Sequence, residues 1–127
     1  MSRRLSIQIP GFKHVNPIPN AARVGNLLMS GAILGVDPDT HKMPADLETQ
    51  CRNMFAHVRS IVEAGGGTMD DVVKITVWLK DVTQRDVLNK IWLATFPDAE
   101  NRPARHALPI VGDSPALIQC DVTAVIG

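Results

Sequence analysis

Apolar and polar residues change rhythm several times along this chain, and each change marks an element. Residues 24–36 read Val-Gly-Asn-Leu-Leu-Met-Ser-Gly-Ala-Ile-Leu-Gly-Val. Gly25-Asn26 is the dipeptide of a tight hairpin turn, and the apolar run after it suits a buried strand. Asp37-Pro38-Asp39-Thr40 forms a second turn. From Leu47 to Ala64 the residues Leu47, Cys51, Met54, Phe55, Val58, Ile61 and Val62 recur at helical spacing. Gly65-Gly66-Gly67 stops that helix, and His57 is expected off its apolar stripe, in solvent.

Between Val72 and Lys80 the period falls to two. Val73, Ile75, Val77 and Leu79 are expected on a core, with Lys74, Thr76, Trp78 and Lys80 on the other side. Thr83 is placed to cap a second helix whose packed stripe is Val87, Leu88, Ile91, Trp92 and Phe96, and Pro97 ends it. Two last strands fall at about 105–109 and 117–125. The order β, β, helix, β, helix, β, β predicts an α+β chain, one sheet with two helices on one face. The sheet's other face stays open, and its Val-rich strands with Trp78 favour self-association.

The 127 residues suffice for one domain, spanning 1–127, with a single core. Thirteen basic residues balance thirteen acidic ones, so no net field draws in a polyanion, and no nucleic-acid partner is expected. Met1–Ile7 carry charges without a long apolar run, and no stretch is long enough to cross a bilayer. A cytoplasmic location with no membrane association is therefore expected. Cys51 and Cys120 sit in apolar patterns and read as buried thiols rather than a disulfide or redox pair.

The chemistry concentrates near the end. Arg102-Pro-Ala-Arg105-His106-Ala107-Leu108-Pro109 puts a fixed cation at the start of one extended segment. Ile118-Gln-Cys-Asp121-Val-Thr-Ala124 puts an acid in the middle of the next. Arginine suits a small carboxylate, because its planar fork donates two parallel hydrogen bonds and keeps its charge. An acid on the neighbouring strand, facing the same cavity, would steer or protonate what is held there. The same pair also reads as a cross-strand salt bridge, the commoner use of opposite charges. Ser30-Gly31 reads as a strand bulge or a cleft wall, and Asn89 as a helix-surface residue or a cleft residue. Strand alternation turns His106 away from Arg105. His14 and His41 sit in loops, no two histidines have ligand-like spacing, and no metal site is expected. The three glycines at 65–67 follow a helix rather than open one, which excludes a phosphate loop.

From about Pro17 to Ala124 the chain resembles the RidA (YjgF) family of reactive-intermediate imine/enamine deaminases, also called the endoribonuclease L-PSP family. The pieces are Val24-Gly-Asn26, Met29-Ser-Gly31, Asp71-Val-Val-Lys74-Ile-Thr-Val-Trp-Leu-Lys-Asp81, Asn89, Pro103-Ala-Arg105 and Ile118-Gln-Cys-Asp121-Val-Thr-Ala124. The resemblance implies a chorismate-mutase-like protomer in a homotrimer, with clefts between subunits. It implies hydrolysis of 2-imino acids to a keto acid and ammonia with no cofactor, metal or organic. By the same resemblance Arg105 holds the substrate carboxylate, and Asp121 stands where a glutamate usually positions the attacking water. Ser30 and Gly31 line the cleft through their backbone, Ala107 orients substrate and water through its own, and Asn89 approaches from near the subunit boundary. Three positions depart from the family's pattern. Ile18 stands where many members have a tyrosine, Ala32 ends the usual Ser-Gly-Gln, and Asp121 is one methylene shorter than glutamate. A water shifted by roughly an ångström costs about 10²-fold in rate.

The expected function is thus an imine/enamine deaminase acting on a small 2-imino (2-aminoacrylate-like) carboxylic acid. The departures also fit a non-catalytic trimer that binds a keto acid. An endoribonuclease-like or chaperone-like activity has been attached to relatives, and zero net charge argues against RNA cleavage.

Overall fold

The computed structural model describes residues 3–127. Its strands are β1 (Arg4–Ile7), β2 (Ala21–Val24), β3 (Leu27–Ser30), β4 (Ile33–Leu34), β5 (Val72–Leu79), β6 (Ala104–Pro109) and β7 (Ile118–Val125). They form one sheet in the order β1-β2-β3-β7-β5-β6, with β4 also paired to β7. Helices α1 (Leu47–Ala64) and α2 (Arg85–Thr95) cover one face. All pairings are antiparallel except β5 with β6, which run parallel because α2 carries the chain back between them. This is the mixed α+β sheet with two helices that the periodicities predict.

Local chemistry accounts for the elements. Gly25 takes a φ of 58°, which a side chain resists, and so lets β2 reverse into β3. Asp46 caps α1 by accepting from the Thr49 amide at 2.9 Å. The stripe of Leu47, Cys51, Met54, Phe55, Val58, Ile61 and Val62 is buried against Ile75, Val77, Leu79, Ile118, Cys120, Val122 and Ala124 of the sheet. Gln50 is fully buried among them and satisfied throughout. Its Nε2 donates to the carbonyls of Pro44 (2.6 Å) and Pro115 (3.2 Å), and its Oε1 accepts from the Leu117 amide (2.8 Å).

Several expectations change. Four strands precede α1, not two: β1 was not foreseen, and the apolar run after Gly25 breaks at Gly31-Ala32 into β3 and β4. A bulge between Val72 and Lys74 turns Val72 into the core and leaves Val73 exposed, reversing its expected side. Thr83 is not the cap of α2. Asp81 accepts from the Thr83 amide at 3.0 Å and caps a single 3₁₀ turn, Val82–Gln84, that leads into the helix. His57 is not solvated but 2% exposed, its Nε2 lying 2.8 Å from the Val36 carbonyl. Cys51 and Cys120 are buried free thiols, as expected. No helix among the described residues is long and apolar enough to cross a membrane.

Candidate functional site

The residues singled out by the sequence fall into two groups, one around Arg105 and one around Asp121 and the junction of β3 with β4. The first group gathers around Arg105, on the edge strand β6. Register pairs Ile75 with Arg105 and Val77 with Ala107, so both point to the helix-covered face. There the Arg105 Nη2 donates to Asn89 Oδ1 of α2 at 2.8 Å, and its guanidinium carbon lies 4.9 Å from the centre of the Trp92 ring. Asn89 and Trp92 sit three residues apart on one side of α2, which is why the two grip the same cation. Trp92 is held in turn by Phe96 at 4.8 Å and Phe55 at 6.1 Å between ring centres.

Asn89, Trp92, Leu93, Arg102, Pro103 and Arg105 line a cavity of about 510 Å³. Arg102 is committed to structure, its Nε donating to the Phe96 carbonyl at 2.8 Å just beyond α2. Arg105 is different. The ion pairs among the described residues are Arg52 and Lys90 with Glu48, so no carboxylate there neutralises it. Burial, and then the like charge of Arg85, pull its pKa below the ordinary guanidinium value. An arginine stays protonated all the same, so the cavity wall carries an unneutralised, half-buried cation.

The backbone beside it is also available. The Ile110 amide donates to the Leu79 carbonyl at 2.9 Å, which sets the side of β6 that faces β5. By the two-residue alternation of a strand, Arg105, Ala107 and Pro109 turn their backbone groups to the free edge instead. Pro109 fits there because it has no N–H to lose.

The second group lies where β3 gives way to β4. Met29 pairs with Thr123 and Ile33 with Cys120, so three residues stand opposite two on β7. Ser30-Gly31 is thus part of a bulge, and the Ser30 hydroxyl repairs the ladder by accepting from the Val122 amide at 2.9 Å. Asp121 precedes that amide, half-buried, opposite Thr76 of β5. Burial raises its pKa above the ordinary carboxylate value, against a smaller opposing pull from Lys74. Ile18 is exposed on a nearby loop that Asn20 holds, accepting from the Ile9 amide and donating to the Phe12 carbonyl, both at 2.9 Å. The Asn20 carbonyl also accepts from the Gly31 amide at 3.0 Å, tying this loop to the bulge.

Arg105 and Asp121 therefore do not share a cavity within one chain. β5 lies between their strands, and register puts Arg105 beside buried Ile75 but Asp121 beside Thr76 on the open face. The expected neighbouring strands are in fact next-but-one, and a direct salt bridge is excluded for the same reason. His106, paired with Thr76, shares the open face with Asp121. The role of Trp92 was not legible, since it read as one more residue of a packed stripe; its spacing from Asn89 was the available signal. Among the described residues no three of His, Cys, Asp and Glu gather closely enough to hold a metal ion.

The sequence profile of the family described as Endoribonuclease L-PSP matches residues 12–125. The chain belongs to the RidA/YjgF (endoribonuclease L-PSP) family. Within it, a 2-iminobutanoate/2-iminopropanoate deaminase of Escherichia coli is 31% identical over 97 residues, 76% of each protein. A RutC family protein of Pyrococcus horikoshii is 31% identical over 99 residues, 77% of each. Among solved structures, RidA of a Psychrobacter species superposes with a TM-score of 0.88 at 29% identity, covering 96% of this chain and 99% of that one. The family fold thus extends over both groups of residues described above.

Proposed function

We propose that this chain is an imine/enamine deaminase that hydrolyses a small 2-imino carboxylic acid, in a cleft shared by two copies of a homotrimer. Arg105 carries the reading: a half-buried cation that no carboxylate among the described residues neutralises, fixed by Asn89 and Trp92 beside a cavity and a free strand edge. Such a group suits a carboxylate ligand small enough to enter. The E. coli relative's name supplies the reaction class.

The chemistry asks little of the protein. The protonated C=N carbon is electrophilic, and water adds to it. A proton then passes to nitrogen, the C–N bond breaks, and keto acid and ammonia leave. Water is the only co-reactant. Arg105 neutralises the substrate carboxylate, which would otherwise repel the incoming water's lone pair, and fixes the carbon's position. Backbone groups of Ala107 at the free edge orient substrate and water. Asp121 either accepts a proton from the water when ionised or donates one to the leaving amine when protonated.

A single copy separates Arg105 from Asp121, so the cleft takes its two halves from different copies. Arg105, Asn89 and Ala107 come from one, and Ser30, Gly31, Ile18 and Asp121 from its neighbour. The open face supports this assembly: Leu27, Met29 and Val125 lie there in register and are 45%, 54% and 49% exposed. The balanced charge supports a small-molecule partner rather than RNA.

One observation favours a second reading, a trimer that binds a keto acid without turnover: the lining of the Arg105 cavity contains no acid. Keto-acid release from 2-imino acids made in situ by an amino-acid oxidase separates the two. The deaminase reading expects acceleration that Arg105→Ala removes. Saturable keto-acid binding without ammonia release supports the second reading instead.

A further inference from the structure

Resting on the reading of Arg105 as the carboxylate clamp, we infer that Trp92 is a positioning residue for the reaction, acting through Arg105 rather than on substrate. An arginine side chain has four flexible torsions, and a clamp that wanders loses the orientation on which catalysis by proximity depends. Asn89 fixes only one end of this guanidinium, through a single 2.8 Å hydrogen bond at Nη2. The ring face of Trp92, 4.9 Å from the guanidinium carbon, supplies the second contact that restrains it. A contact with the ring face uses none of the N–H donors, so those beyond Nη2 stay available for a carboxylate.

The platform itself is rigid. Trp92 is buried, and it is wedged between Phe96 and the T-shaped contact with Phe55 of α1. It therefore connects the helix-to-helix packing to the orientation of the cation, with no charged group needed. The same indole forms part of the cavity lining, so its emission senses what Arg105 binds. Trp78, the only other tryptophan, lies on the opposite face, paired with Gln119.

The test compares wild type, Arg105→Ala, Trp92→Phe and Trp92→Leu, each confirmed folded by thermal melting. Two readouts are used: keto-acid release from 2-iminobutanoate, and binding of 2-oxobutanoate followed by tryptophan emission and calorimetry. Trp92→Leu is expected to lose about 5- to 30-fold in kcat/KM and in 2-oxobutanoate affinity, mostly through KM. Trp92→Phe, which keeps an aromatic face, recovers all but about 3-fold of that loss while abolishing the ligand-dependent emission change. Folded Trp92→Leu with wild-type KM and affinity overturns the inference while leaving the deaminase reading intact, provided Arg105→Ala is impaired. If Arg105→Ala matches wild type in both readouts, the clamp and the inference built on it fall together. If only binding depends on Arg105, the deaminase reading fails, and the 2-oxobutanoate affinities alone decide the role of Trp92.

Discussion

Arg105 keeps its charge in a half-buried position because its delocalised guanidinium tolerates partial desolvation and gains an amide oxygen and an aromatic face in return. Lysine offers neither the fork nor the stack. Arg105→Lys is accordingly expected to lose at least about 10-fold in kcat/KM, with most of the change in KM, measured as keto-acid release. Asp121 is set apart by burial, which raises its pKa. If its ionised form activates water, kcat rises with pH through a midpoint above the ordinary carboxylate value, and Asp121→Asn removes that limb of the profile. A rate that instead falls through the same midpoint assigns it the acid role. His57 gives a stability counterpart. Burial holds its pKa below the usual histidine value, so below about pH 6.5 the unfolded chain takes up a proton that the folded chain refuses. Stability is therefore full above that pH and declines on acidification. Melting at pH 5.5 is expected a few degrees below that at pH 8, a difference that shrinks in His57→Gln.

At the scale of elements, much of the fold shows in periodicity. α1 has an uninterrupted helical stripe, β7 alternates along its whole length, and β5 alternates from Lys74 to Leu79, beyond its bulge. His57 itself lies three residues after Met54 and four before Ile61, on the stripe's own spacing. Its polarity hid it, and the Val36 carbonyl explains it. β1 stayed illegible because three of its four residues are exposed and pairing with β2, not a buried pattern, makes it a strand. The bulge at Val72/Lys74 inverted one residue's side for the same reason, as ladder register is not a local property.

The junction of β4 with α1 depends on close approach. A side-chain carbon on Gly35 would overlap the Gln50 backbone, so Gly35→Ala forces β4 away from the helix. It is expected to destabilise by about 2–4 kcal/mol in denaturant melts. Gln50→Leu leaves the Leu117 amide and two carbonyls unpaired, and a loss of about 2–4 kcal/mol is expected there too.

For the whole molecule, the sequence placed both halves of the candidate site but not their relation. Arg105 and Asp121 are sixteen residues apart along the chain, and local alternation says nothing about which strand lies between them. The crossover through α2 inserts β5, and register against adjacent residues of β5, Arg105 with Ile75 and Asp121 with Thr76, then fixes the two on opposite faces. The open face, with Leu27, Met29 and Val125 exposed in a row, is where the proposed trimer would assemble. Sedimentation is expected to show a trimer that Met29→Lys dissociates, with loss of activity in step.

A shared cleft has one direct test. Arg105→Ala and Asp121→Asn are each strongly impaired on their own if each removes one half of every cleft. Mixed by co-expression, they rebuild clefts in which an intact Arg105 meets an intact Asp121 from another copy. Random mixing in a trimer predicts recovery of about a quarter of wild-type keto-acid release. A mixture no more active than its parents contradicts a site built from Arg105 of one copy and Asp121 of the next.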